Sequence, residues 1–286
     1  MTSANTAILQ IICPDQAGLV AKIADFIHQH QGNIVDLGQH TDPVSKTFLM
    51  RIEWELKSFK LKKSDLKKYL KTWEKQYQMD IKLFFRSQKL KLGILVSKYP
   101  HCLEDLLMRQ SLGELSVKIP VIISNHPDSS KVAKYYGIPY QQVSVEEKNK
   151  VQAEAKILKI LKKHQVDFVV LARYMQILSQ DFIAHYPNQI INIHHSFLPA
   201  FKGGKPYHQA YSRGVKIIGA TSHYVTAELD NGPIIEQRVA RVSHRHGVED
   251  LIRLGRDQER LALAEAVRLH SEHRILAYEN KTVVFE

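Results

Sequence analysis

At 286 residues the chain is long enough for two domains of about 150 residues each. With 44% hydrophobic and 24% charged residues it falls within globular usage, outside the disordered, collagen-like and low-complexity classes. The formal charge is +11, and residues 56–91 hold twelve basic and three acidic side chains, so a net +9 of it sits in that window.

The longest apolar runs, Phe168–Ala172 and Pro120–Ile123, fall far short of the ~18 residues that span a bilayer. The opening Met1-Thr2-Ser3-Ala4-Asn5 has no basic side chain of the kind a secretory signal carries. Two cysteines, Cys13 and Cys102, cannot build a disulfide framework and suit a reducing compartment, so a cytoplasmic protein is expected.

In chain order, Ala7–Cys13 reads as a strand. Leu19, Val20, Ile23, Ala24 and Ile27 then recur on one helical face, with Gly32 closing the helix. Ile34–Thr41 is a second strand. After the Asp42-Pro43 turn, Phe48, Met50, Ile52 and Trp54 alternate with Leu49, Arg51, Glu53 and Glu55, the pattern of a half-buried strand. The lysine-rich stretch 64–77 carries Leu66, Tyr69, Leu70, Trp73 and Tyr77 at helical spacing, and Asp80–Phe85 closes the set. The lysines read as the solvated face of that helix; the competing reading, a nucleic-acid patch, lacks any accompanying motif. The order βαββαβ predicts a ferredoxin-like domain over residues 1–86.

Beyond the polar link Arg86-Ser87-Gln88-Lys89, strand-like runs at Leu92–Val96, Val121–Ser124, Val166–Ala172 and Ile190–Ile193 alternate with helical stretches near Leu103–Leu112, Ser129–Tyr136 and Val151–His164. Such alternation predicts a Rossmann-like domain over residues 87–286, with a mainly parallel sheet covered on both faces. Lys216–Thr226 and Ile234–Val242 look extended, Val248–His270 is one long helix, and Thr282–Phe285 reads as an added edge strand.

Ligands of open α/β sheets sit beyond the carboxyl ends of the strands, where Ser97, Asn125, Arg173, Asn192 and His194 fall. Asn192 and His194, two apart in a strand, share a face. An amide and an imidazole aimed at one point suit a tetrahedral oxyanion, one as a fixed donor and the other as a proton carrier. Asp230, in Leu229-Asp230-Asn231-Gly232-Pro233, could pair with that imidazole or orient a water; the bland alternative is a turn former. Zinc on His194, His195, His208 and His223 is the competing chemistry, but the spacings match no recognised metal motif. Ser196 lacks the glycine-flanked elbow of a nucleophile.

Three ordered motifs carry a resemblance: Asn192-Ile-His194 with Ser196-x-Leu198-Pro199, Gly219-Ala-Thr-x-His223-Tyr-Val, and Leu229-Asp230-x-Gly232-Pro233-Ile234. From about residue 90 to 275 the chain resembles the folate-dependent formyltransferase family. The resemblance implies that Asn192 and His194 polarise the formyl group, that Asp230 is the essential acid or base, and that His223 lies nearby. It also implies that the segment with Arg173, Met175, Gln176, Ile177 and Leu178 holds the pterin. For the apolar members of that segment, ordinary core packing is the competing reading.

Ser97-Lys98-Tyr99-Pro100-His101-Cys102 has no glycine, and Pro100 removes one N–H, so it makes a poor phosphate cradle for an acceptor. It is similar instead to the hydrolytic branch of the family, as are Ser124-Asn125-His126 and Phe201-Lys202-Gly203; Gly204 departs from the alanine expected there. Cys13-Pro14-Asp15-Gln16-Ala17-Gly18-Leu19-Val20 resembles the opening of an ACT domain. That implies an amino-acid effector such as methionine or glycine near Asp15, Gly18 and Leu19, and a homo-oligomer joined through this domain. The implied activity is hydrolysis of 10-formyltetrahydrofolate to formate and tetrahydrofolate, without metal or nicotinamide, feeding formate to purine synthesis. The alternative is formyl transfer to an amine acceptor.

Overall fold

The apolar opening run forms β1 (Thr6–Pro14), and Gly18, at φ +87, turns the chain into α1 (Leu19–Gln29). Only a glycine takes that left-handed conformation without steric cost. The computed structural model describes residues 5–200 and 206–286; the Phe201-Lys202-Gly203 motif and Gly204 lie outside them. The first unit continues with β2 (Asn33–Asp42), β3 (Thr47–Glu55), α2 (Lys63–Tyr77) and β4 (Asp80–Phe85), in an antiparallel sheet ordered β2-β3-β1-β4. Leu19, Ile23 and Phe26 of α1 and Leu66, Leu70 and Trp73 of α2 pack on Leu9, Ile11, Met50, Ile52 and Trp54. Each such burial contributes about 1.5–3 kcal/mol.

Gly32 does not supply the left-handed turn that ends α1. Gln31 does, at φ +62, while a Cβ at Gly32 would stand 2.6 Å from Ile27 Cγ2, so close packing is what calls for glycine there.

The second unit runs β5 (Lys91–Val96), α3 (His101–Ser111), β6 (Lys118–Ser124), α4 (Ser130–Tyr135), β7 (Tyr140–Gln142), α5 (Lys150–Lys163), β8 (Phe168–Ala172) and α6 (Gln180–Ala184). It continues with β9 (Ile190–His194), α7 (Pro206–Ser212), β10 (Ile217–Tyr224), β11 (Ile234–Arg241) and α8 (Val248–Ser271). The sheet order is β11-β10-β9-β8-β5-β6-β7; β5 to β9 pair in parallel, and β10 and β11 antiparallel. Central strands buried on both faces are apolar throughout, as in Phe168-Val169-Val170-Leu171-Ala172. Successive strands depart from β5 in opposite directions, toward β6 on one side and β8 on the other, so the crevice between β5 and β8 is the switch point where such folds bind ligands.

The tail differs from the expectation that residues 87–286 form one domain. Two compact units result, one of Met1–Lys89 with Glu272–Glu286 and the other of Leu90–Ser271. Nor is the tail an edge strand: β12 (Ile275–Tyr278) pairs with β13 (Lys281–Val284) in a hairpin of its own. Gln10 Nε2 donates to the carbonyls of His273 and Ile275, His273 stacks on Phe84 at 3.7 Å between ring centroids, and Phe285 lies against Gly38. This cover explains why β3 is not half-buried as its alternation predicts. Arg51 and Glu53 are 0% and 1% exposed, with Arg51 bonded to Asp36, to Glu53 and to the carbonyls of Glu272 and His273.

Candidate active site

Asn192 and His194 stand on β9, whose antiparallel register with β10 sets Asn192 opposite His223. Asn192 Nδ2 lies 3.2 Å from His223 Nε2. His223 Nδ1 donates to the Tyr224 carbonyl at 2.9 Å, which leaves Nε2 of the neutral ring free to accept from the amide. The ring is therefore fixed from both sides.

Asp230 arrives from the loop after β10. Tyr224 N donates to the Pro233 carbonyl at 2.9 Å, closing the loop, and Asp230 adopts φ +53 within it. Gly232 passes so near the β10 end that a Cβ would stand 1.8 Å from the Tyr224 carbonyl oxygen. Asp230 is thus a turn residue and more: its Oδ2 lies 3.2 Å from His194 Nδ1, and its Oδ1 3.7 Å from His223 Nε2. The contact with His194, above all, holds the Asp230 carboxyl well below the usual carboxylate range. With Nδ1 committed to Asp230, His194 Nε2 is buried without a hydrogen-bond partner.

These groups line a cleft of about 310 Å³, together with Arg173, Met175, Gln176, Ile177 and Leu178 on one side and the loop from Val225 to Asp230 on the other. The 173–178 loop is anchored at both ends. Met175 N donates to Ser97 Oγ at 3.0 Å, and Ser179 N donates to Glu154 Oε1 at 2.9 Å. Ser97 Oγ in turn donates to Asn125 Oδ1, so these two strand-end residues steady the loop. Met175 and Ile177 are exposed, while Leu178 belongs to the buried core and has both the packing role and the wall role.

Behind the cleft lies a buried polar cluster that the sequence reading missed. Glu259 on α8, 1% exposed, accepts from His101 Nε2 at 2.8 Å and Tyr207 OH at 2.6 Å, with Arg173 Nε at 3.4 Å. Burial would raise its pKa, but His101, Arg173 and Tyr207 together lower it. His195 packs between this cluster and His194, and burial, with Arg173 nearby, pushes it down to about 4, so it is neutral at pH 7. The one legible signal was a carboxylate on the apolar face of α8, in step with Leu251, Gly255, Ala262 and Leu263.

His101, Cys102 and Glu259 bring ligand atoms within 4.8 Å of one another. The Arg173 cation beside Glu259, and the two donors already on that carboxylate, oppose a metal ion there. At the start of α3, Tyr99 lies under the Arg256 guanidinium at 5.7 Å and His101 turns to Glu259, so the helix start is occupied by the chain's own side chains. In the first unit, Asp15 and Gly18 are exposed, whereas Leu19 is 4% exposed and part of the core. No helix among the described residues is long and apolar enough to cross a membrane.

The formyl transferase family model matches residues 90–267. The formyltetrahydrofolate deformylase of Synechocystis sp. is 55% identical over 98% of both chains. That of Bacillus subtilis is 45% identical over 97% of this chain and 93% of its own. The crystal structure of a formyltetrahydrofolate deformylase from Pseudomonas syringae superposes with a TM-score of 0.97 at 45% identity, covering 100% of this chain and 96% of that one. With a family model across most of its length and relatives this similar from end to end, the chain belongs to the formyl transferase family, in its formyltetrahydrofolate deformylase group.

Proposed function

We propose that the chain hydrolyses 10-formyltetrahydrofolate to formate and tetrahydrofolate. The observation that carries this reading is the Asn192, His194 and Asp230 constellation at the floor of an apolar-walled cleft. The names of its full-length relatives support it.

In this reading the pterin lies against the 173–178 loop and presents the formyl carbon to His194 Nε2. Asp230 keeps the imidazole in the tautomer with Nδ1–H toward the carboxylate, orients the attacking water and accepts its proton. The amide of Asn192 donates to the developing oxyanion, and His194 Nε2 joins it once the proton taken from the water has been relayed to it, each well-placed donor contributing about 3 kcal/mol. N10 is an arylamine and leaves once protonated, through His194 or a relayed water. Asp230, held ionised by His194, stays competent across neutral pH. Neither a metal nor a nicotinamide takes part.

The first unit, with its βαββαβ element order, serves in this reading as an ACT-like regulatory module. Methionine or glycine binds near Asp15 and Gly18, and two copies join through their sheets. The formate released supplies purine synthesis, and the hydrolysis balances the one-carbon folates in the cytoplasm.

Incubating purified protein with 10-formyltetrahydrofolate and no amine tests the activity. Equimolar formate and tetrahydrofolate are expected; consumption that starts only when an amine acceptor is added would replace hydrolysis by transfer.

A further inference from the structure

Hydrolysis of a neutral formamide yields an anion. The C–N10 bond breaks, a C–O bond to water oxygen forms, N10 gains one hydrogen of that water, and formate leaves with the other proton released to solvent. Among the described residues, two carboxylates, Asp230 and Glu228, line the cleft where that anion forms, and one permanently charged cation does, Arg173. Like charges within a cleft of low dielectric repel strongly, so the product needs a positive partner to separate from Asp230.

Arg173 is built into its place. It follows β8 directly, at the switch point, and its carbonyl accepts from Ser97 N at the end of β5. Its backbone holds φ +62, a conformation that costs a non-glycine residue energy and persists where the surroundings impose it. Its side chain is 12% exposed, yet Nε and Nη1 are buried with no hydrogen-bond partner. Glu259, 3.4 Å from Nε, already serves His101 and Tyr207, so it balances the charge of Arg173 without satisfying its N–H groups. Buried N–H groups left unmet are rare in folded proteins, and these two belong to a side chain that lines the cleft.

We infer that the Arg173 guanidinium is the carboxylate subsite of this cleft and receives formate as it leaves the tetrahedral carbon. A guanidinium presents parallel N–H groups in a plane, and formate presents two oxygens in a plane, so the fork fits as a lysine would not. Glu259 holds the guanidinium ready and competes with formate for it. The inference rests on the hydrolytic reading of the cleft and gives the Arg173 side chain a role separate from pterin contact.

The test is titration of carbon-13 formate into the ligand-free, full-length protein, followed by line broadening of the formate resonance, with thermal melts confirming that each variant folds. Wild type should bind saturably. Arg173→Gln should weaken binding at least about tenfold, and Arg173→Lys about fivefold, because one point charge replaces a fork. Glu259→Gln should tighten binding severalfold, because the competing carboxylate is gone. Should Arg173→Gln fail to fold, Arg173→Lys and Glu259→Gln decide. Wild type without saturable binding, binding indifferent to Arg173, or weakening in Glu259→Gln would each overturn the inference. Because the readout needs no turnover, the two readings separate. Formate binding at Arg173 without hydrolysis of the folate removes the activity alone; hydrolysis without formate binding removes the subsite alone.

Discussion

Asp230→Asn removes one charge and few atoms, so its cost follows from distance. A carboxylate 3.2 Å from an imidazole that becomes cationic as the proton moves is worth about 5 kcal/mol at an effective dielectric of 20. Asparagine can still accept from Nδ1–H through its oxygen, which recovers part of that. A barrier increase of about 3–5 kcal/mol remains, lowering kcat between about one hundredfold and several thousandfold. Affinity for the folate should change little, because the pterin wall is the 173–178 loop, anchored at Ser97 and Glu154 far along the chain from the Asp230 loop. The assay is the ultraviolet change on release of tetrahydrofolate, with KM and an independent Kd for the folate. A kcat within tenfold of wild type, or a loss located wholly in KM, would refute the assignment of Asp230.

Asn192→Ala takes away the amide donor and frees His223 Nε2; kcat should fall by about one hundredfold to one thousandfold in the same assay, and a change below fivefold would count against an oxyanion role. Gly232→Ala places a Cβ 1.8 Å from the Tyr224 carbonyl, a clash with backbone that no rotamer relieves. It should destabilise the fold by about 2–4 kcal/mol in denaturant unfolding and reduce turnover by displacing Asp230. Burial opposes ionisation of Glu53, yet hydrogen bonds from Arg86, Thr6 and Arg51 outweigh it and hold the carboxyl down at about 2. A carboxyl depressed in the folded state contributes stability above its unfolded pKa of about 4.5 and loses it as pH falls toward 2, here about 3 kcal/mol. Unfolding free energies measured from pH 6 to pH 2 should show that slope, and Glu53→Gln should flatten it.

The strands and long helices of both units were legible because each exposes one period to one kind of burial. Leu19, Ile23 and Ile27 on α1, or the unbroken run of β8, can hardly be read otherwise. The reading failed where burial came from far along the chain. In β3, Arg51 and Glu53 occupy the positions that alternation gives to solvent, and the tail hairpin, more than two hundred residues later, covers them. No local pattern announces that. The site divides the same way. Asn192 and His194 were legible because a strand fixes which side chains share a face, and Asp230 because its loop closes over the same strand end. Glu259 sits in the middle of a long helix with a charge every few residues, and it meets His101, Tyr207 and Arg173 from three other segments, so only the fold joins them.

Two buried arginines show how a structural charge differs from a functional one. Arg51 in the first unit meets Asp36, Glu53 and the carbonyls of Glu272 and His273, so its guanidinium is served on Nε, Nη1 and Nη2. That network costs desolvation and returns it through hydrogen bonds; nothing in it asks for a ligand. Arg173 in the second unit is nearly as enclosed, but two of its nitrogens have no partner, and the same is true of His194 Nε2 across the cleft. Unmet donors and acceptors in a core are each a cost of about 1–3 kcal/mol, which a protein with 5–15 kcal/mol of stability does not retain by default. Both side chains line the cleft that also holds an ionised carboxylate and an apolar wall, where a bound group can complete them. A ligand that meets these atoms recovers that cost on binding, which favours the Arg173 and His194 side of the cleft for substrate and product.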